Sequence, residues 1–114
     1  MTVPVQAGLA DVTVTSASEV NLLTAATGGT VGFSTVKQWS LVVTTNQDIT
    51  VRVYKQAGPN AGLVIVSGLT DTATSSSPYV AEWWAEANTA IRVTAQASAA
   101  TATVDCDFRG VGSD

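Results

Sequence analysis

The chain has 114 residues and a formal net charge of −4, with 46% hydrophobic but only 12% charged residues. That length suits one domain and leaves no room for a second core. Its five basic residues, Lys37, Arg52, Lys55, Arg92 and Arg109, are too scattered to form a groove for phosphates, which excludes nucleic acid as a partner.

No apolar run approaches the roughly 20 residues of a membrane span, so no membrane partner is expected. Met1 to Ala10 lacks the charged start and apolar centre of a secretory signal, which points to synthesis in the cytoplasm. Val and Thr number seventeen each and favour strands, because branching at Cβ suits a pleated surface. Seventeen of the hydrophobic residues are Ala, and Leu, Ile, Phe and Trp together number only fourteen, so the expected core is thin. A thin core under a polar surface of low charge suits a protein packed in an assembly, the plainer reading being a sheet protein with a neutral skin. The single cysteine cannot form an internal disulfide.

Residues 1–10 read as an extended N-terminal arm that either crosses the fold or reaches a neighbour, and residues 11–114 as a single domain. Val12 and Val14 alternate with Thr13 and Thr15, and Val20 to Thr24 adds a second short apolar stretch. Gly28-Gly29 marks a turn before Val31, Phe33 and Val36. From Lys37 to Gln56 the alternation predicts a hairpin that pairs Trp39 with Val53, Leu41 with Val51 and Val43 with Ile49. Thr45-Asn46-Gln47 forms its loop, with Asn46 as the residue suited to positive φ. After a turn at 57–62, Leu63 to Leu69 reads as a strand buried on both faces. Thr70 to Pro78 reads as a mobile exposed connection, and Tyr79 to Glu86 as the next strand.

The clearest signal lies between Thr89 and Gly110. Ile91, Val93, Ala95 and Ala97 share one face, as do Ala102, Val104, Cys106 and Phe108. The predicted hairpin sets Ile91 opposite Phe108, Val93 opposite Cys106 and Ala95 opposite Val104, with Arg92 and Asp107 as a cross-strand ion pair. Cys106 then reads as a buried, inert thiol. The sum is an all-β antiparallel sandwich of seven or eight strands, with jelly-roll order as one option.

Chemistry is reached by elimination. The chain has no histidine, which removes Ser-His-Asp and Cys-His nucleophile arrangements and any His-containing metal site. Glu82 and Glu86 share a strand face but stand roughly 13 Å apart, beyond the reach of a glycosidase pair. Asp105 and Asp107 with Asp71 offer a calcium site only weakly, since calcium wants six to eight oxygens, and Arg92 and Arg109 are nearer partners. No enzyme activity, cofactor or metal is expected. Trp83 and Trp84 must split between the two faces of their strand. The outward indole reads as an anchor at a subunit interface, an edge residue covered by a loop, or a sugar-stacking platform. Tyr79, Trp83 and Trp84 are therefore the candidate subunit or ligand interface, with Tyr54 a further polar-tipped aromatic.

Thr15-Ser16-Ala17-Ser18-Glu19-Val20-Asn21-Leu22-Leu23-Thr24-Ala25 resembles an opening found in small β-sandwich virion proteins of tailed bacteriophages. Trp39 to Tyr54 and Ala90-Ile91-Arg92-Val93 through Asp107-Phe108-Arg109-Gly110 are similar in style. The resemblance implies a structural role in the virion, as a head decoration or cement protein, often a homotrimer, that clamps the major capsid protein or another virion protein. It transfers no binding residue. A tail or baseplate component shares these traits, and a carbohydrate-binding module using an exposed Trp is the alternative of another class.

Overall fold

The computed structural model describes residues 2–6, 8–23, 35–56, 63–83 and 91–113. They form ten strands: β1 (Thr2–Gln6), β2 (Val12–Val14), β3 (Val20–Asn21), β4 (Thr35–Thr45), β5 (Ile49–Gln56), β6 (Leu63–Ile65), β7 (Asp71–Ala73), β8 (Tyr79–Trp83), β9 (Ile91–Ala97) and β10 (Ala102–Ser113). One short 3₁₀ turn, Ser67–Leu69, sits between β6 and β7, and no α-helix occurs among the described residues. The predicted turn at Gly28-Gly29, the residues Val31 and Phe33, the loop at 57–62, and Trp84 and Glu86 lie outside the described residues.

Two antiparallel sheets pack face to face. In the first, β1 and β2 lie along one edge of β10, followed by β4 and then β8. The second runs β3, β9, β5, with β6 and β7 sharing the far edge of β5. The pairings are nested: β2 with β10, β3 with β9, β4 with β8, and β5 with β6 and β7. A long antiparallel ribbon wrapped over itself produces this order, which is that of a jelly roll. The all-β antiparallel sandwich expected from the alternation is the observed architecture. The ten strands exceed the expected seven or eight because short edge segments escape any periodicity test.

Both predicted hairpins are instead arches. β4 and β5 lie in opposite sheets, as do β9 and β10, so Trp39 does not pair with Val53 nor Ile91 with Phe108. Trp39, Leu41, Val43, Ile49, Val51 and Val53 are all buried as expected. Period-two alternation sets which side chains face inward but not which strand is the hydrogen-bonded neighbour. Two strands that bury the same faces can lie side by side or face each other across the core. The true ladders are β4 with β10, setting Leu41 against Phe108 and Val43 against Cys106, and β5 with β9, setting Val53 against Val93.

The two arch loops hold each other. Asn46 accepts a bond from Thr103 N through Oδ1 at 2.8 Å, and Ser98 N donates to Asp48 O at 3.0 Å. Asn46 therefore contributes its side chain rather than a left-handed backbone. Asp11, at φ 54°, is the described non-glycine residue with positive φ. The Arg92–Asp107 pair does not form, because the two residues belong to different sheets. Asp107 is met by Arg109 Nε at 2.9 Å, both side chains being largely exposed.

The core is the slab between the sheets. Trp39 stacks on Phe108 with ring centroids 4.6 Å apart. Leu22, Leu41, Ile49, Val51, Val93 and Val104 complete its fully buried centre. Cys106 is buried on the inward face of β10 as expected, and burial, with the Asp107 charge second, pushes its thiol up to about 12.

Two glycines allow close approach. A Cβ on Gly110 would fall 1.8 Å from the Trp39 ring, and one on Gly8 would fall 1.9 Å from the Cys106 carbonyl oxygen. Next to Gly8, Leu9 donates to Leu22 O at 3.0 Å and accepts from Cys106 N at 2.8 Å, tying the segment to both layers. Upstream, β1 lies antiparallel to the last residues of β10.

Two further expectations are corrected. Leu63 to Leu69 is not a strand buried on both faces: β6 is a three-residue edge strand with Val64 and Ile65 each about half exposed. Thr70 to Pro78 is not a bare connection, since β7 pairs with β5 and Ala73 is buried, while Thr74 and Ser77 close a tight bridge. Short apolar runs and Ser/Thr runs look alike in sequence whether or not an edge is available for them to join.

Candidate functional site

Of the candidates Tyr79, Trp83 and Trp84, the first two bound β8, the last strand of the first sheet among the described residues. β8 pairs along one edge with β4, so Trp83 stands in register with Trp39 and Tyr79 with Val43. Tyr79 is an interior residue, 5% exposed, and donates its hydroxyl to Leu69 O. Burial, with the charge of Asp71 second, raises its phenol to about 12. The ring belongs to the buried core, and the hydroxyl ties β8 to the turn that ends at Leu69. On the opposite face of β8, Val80 is 64% exposed, the most exposed large hydrophobic side chain among the described residues, and Glu82 is also exposed. Trp83 marks the end of described β8, and Trp84 lies beyond it.

The acidic residues weighed for calcium do not converge. Asp105 accepts from Asp11 N at 2.8 Å and steadies the positive-φ bend, and Asp107 holds Arg109. Asp71 lies on β7 in the other sheet and caps Thr72 N. No group of three His, Cys, Asp or Glu residues gathers among the described residues.

A second site emerges on the outward face of the second sheet. The connection from β2 to β3 crosses from one sheet to the other and lies over β9 and β5. Ala97 N donates to Thr15 O at 3.0 Å, and Gln96 Nε2 donates to Ser16 O at 2.9 Å. This strap delivers Glu19, whose Oε1 accepts from Tyr54 Oη at 2.6 Å and Thr94 Oγ1 at 2.7 Å. Arg52 lies 3.6 Å from the same oxygen and also donates to Gln96 Oε1 at 3.1 Å. Thr94 points outward by strand parity yet is only 5% exposed, because the strap covers it.

The bond from Tyr54, then that from Thr94, and the nearby Arg52 outweigh partial desolvation and hold the Glu19 carboxyl below its usual range. The reciprocal effect raises the Tyr54 phenol. Glu19 is thus a fixed, ionised acceptor near neutral pH. Glu19, Asn21, Tyr54, Arg92 and Thr94 line a groove of about 400 Å³ around it.

Sequence reading passed over this cluster. Arg52 and Tyr54 on β5 alternate with core residues, and so do Arg92, Thr94 and Gln96 on β9. The β5–β9 ladder brings them together, with Arg52 opposite Thr94 and Tyr54 opposite Arg92. A β9–β10 hairpin would leave Arg52 and Tyr54 away from Arg92 and Thr94, so the predicted pairing does not gather them.

No family profile and no curated protein matches the chain. Among solved structures, the chain aligns with one from the structure of infectious bursal disease virus, Gx strain, at 9% identity and a TM-score of 0.46. The alignment covers 98% of this chain and 32% of that one, so this chain spans about a third of the other's length.

Proposed function

We propose that the chain is a structural virion protein, most specifically a head decoration protein that stabilises a capsid lattice as a homo-oligomer, with a trimer favoured. The observation that carries this reading is the nested jelly-roll order, an architecture used by viral capsid domains, lectins and cupins. Metal-dependent cupin chemistry calls for imidazole ligands, and the sequence contains no histidine. The resemblance in the Thr15 to Ala25 stretch favours the virion over the lectin. A surface with 12% charged residues offers little electrostatic repulsion to close-packed copies.

The lattice contact is assigned to the β8 end of the first sheet. Val80 gives this region an exposed apolar side chain beside an edge with no second strand partner among the described residues. Trp83 and Trp84 follow, and indoles contribute strongly to interfaces because they bury large area with few torsions to freeze. Adjacent residues of one strand point to opposite faces, so of Trp83→Ala and Trp84→Ala one is expected mainly to lower thermal stability and the other mainly to weaken association.

The test is sedimentation of the purified chain together with mass spectrometry of particles from the virus that encodes it. An oligomer, and a fixed copy number relative to the major capsid protein, support the decoration role. A monomer absent from purified particles overturns it, and recovery only with tails moves the assignment to a tail or baseplate component.

A further inference from the structure

We propose that the groove on the outward face of the second sheet, between Glu19, Asn21, Tyr54 and Arg92, binds a neutral saccharide through two neighbouring hydroxyls.

The inference starts from how the groove's polar atoms are already used. Every recorded bond to Glu19 ends on Oε1, so among the described residues Oε2 has no partner. Asn21 Oδ1 accepts from Leu23 N at 3.2 Å, which leaves the two Nδ2 hydrogens without a partner among the described residues. Arg92 is exposed on β9, and no described residue pairs with its guanidinium. The groove therefore combines one anionic acceptor with amide and guanidinium donors, all held on short strands or on the strap that crosses them.

The chemistry of the occupant follows from that mixture. A phosphate or carboxylate would meet Glu19, and an amine would meet Arg92, so a net charge of either sign encounters its like. A sugar hydroxyl donates one hydrogen bond and accepts others. Adjacent hydroxyls satisfy both halves of the site, one giving its proton to Glu19 Oε2 and its neighbour accepting from Arg92 or Asn21. Because Tyr54 spends its hydroxyl on Glu19, its ring is anchored and offers an apolar surface to the sugar's C–H groups. A volume of about 400 Å³ lies at the small end of ligand sites, in the range of one or two sugar rings. The acceptor half of the site is preorganised. The bonds that hold Glu19 are present without ligand, so the ordering cost of binding falls on Arg92.

The site is separate from the β8 end of the first sheet and does not depend on the virion role. A chain found in no particle would still bind at this groove, and a particle protein without sugar binding would lose only this assignment.

The experiment is a titration of the full ¹⁵N-labelled chain, followed by NMR, with the methyl glycosides of glucose, galactose, mannose and N-acetylglucosamine, and with acetate and methylammonium as charged probes. The expected result is saturable movement of the Asn21, Tyr54, Arg92 and Thr94 resonances with at least one neutral glycoside. Arg92→Ala should weaken that binding by about tenfold or more, the loss of a charge-assisted bond, while leaving the melting temperature unchanged. Glu19→Gln, which keeps the side-chain shape, should weaken it as well. The proposal is overturned if no glycoside moves these resonances at millimolar concentrations, or if the shifts map to Trp83 instead. It fails equally if only acetate or methylammonium binds, or if Arg92→Ala binds as well as the parent.

Discussion

The two outward faces of this sandwich are built on opposite plans. On the second sheet, a strap from the other layer brings Glu19 onto Tyr54, Thr94 and Arg52, and a buried threonine lies beneath it. On the first sheet, Asp107 and Arg109 pair two residues apart on one strand, Asp105 holds a backbone bend, and Val80 stands open to solvent. One face is knitted and concave, whereas the other is open, with charges satisfied locally. A groove whose polar atoms are held in place suits a small polar ligand. An unencumbered surface with an exposed apolar residue near a sheet edge suits a large partner.

The contrast holds only if both faces ride on one cooperative core, and the largest expected effect tests that premise. Gly8→Ala and Gly110→Ala each force a Cβ into contact under 2 Å, with the Cys106 carbonyl or the Trp39 ring. Each should cost about 3 kcal/mol. Hydrogen exchange in both sheets should rise together in either variant; loss of protection confined to one sheet would show that the faces unfold independently.

Alkaline stability probes the shared interior next. Cys106 and Tyr79 are both raised to about 12 in the fold, from ordinary values of 9 and 10. Above those ordinary values the unfolded chain loses protons that the folded chain retains. Stability should therefore fall as pH rises from about 9 towards 12. Cys106→Ala should flatten the lower part of that slope in urea titrations at stepped pH. The same burial predicts that the native thiol resists a disulfide-exchange reagent at pH 8 and reacts only after unfolding.

A direct comparison of the faces comes from truncating one acid on each. Glu19→Ala removes three partners and should cost about 1–2 kcal/mol, whereas Asp107→Ala breaks an exposed pair and should stay within about 0.5 kcal/mol. Equal losses would erase the distinction between a knitted and an open face. The acid limb is subtler. Because the folded pKa of Glu19 lies below its ordinary 4.5, its contribution is complete above that value and is lost as pH falls through the lower folded value. Glu19→Gln should remove that part of the acid dependence.

The smallest expected effect on stability is at Val80, where Val80→Ser should barely move the melting temperature. The same change should weaken self-association if the open face is the lattice contact, which sedimentation would detect.

Alternation along Trp39 to Val43, Ile49 to Val53, Ile91 to Ala97 and Ala102 to Phe108 determined by itself which side chains are inward, that the chain forms an all-β sandwich, and that Cys106 is buried. Those are one-dimensional facts, because a strand's two faces are set by residue parity. Partner choice is not one-dimensional. Only the tertiary structure decided that each tight loop is an arch between layers, that β9 neighbours β5, and that Glu19 arrives over both from a strap 75 residues away from Thr94 in sequence. The inward faces bury equally well in either arrangement, so apolar patterning alone cannot separate them. The nested pairing of all the strands separates them, and it gathers the polar groove at the same time.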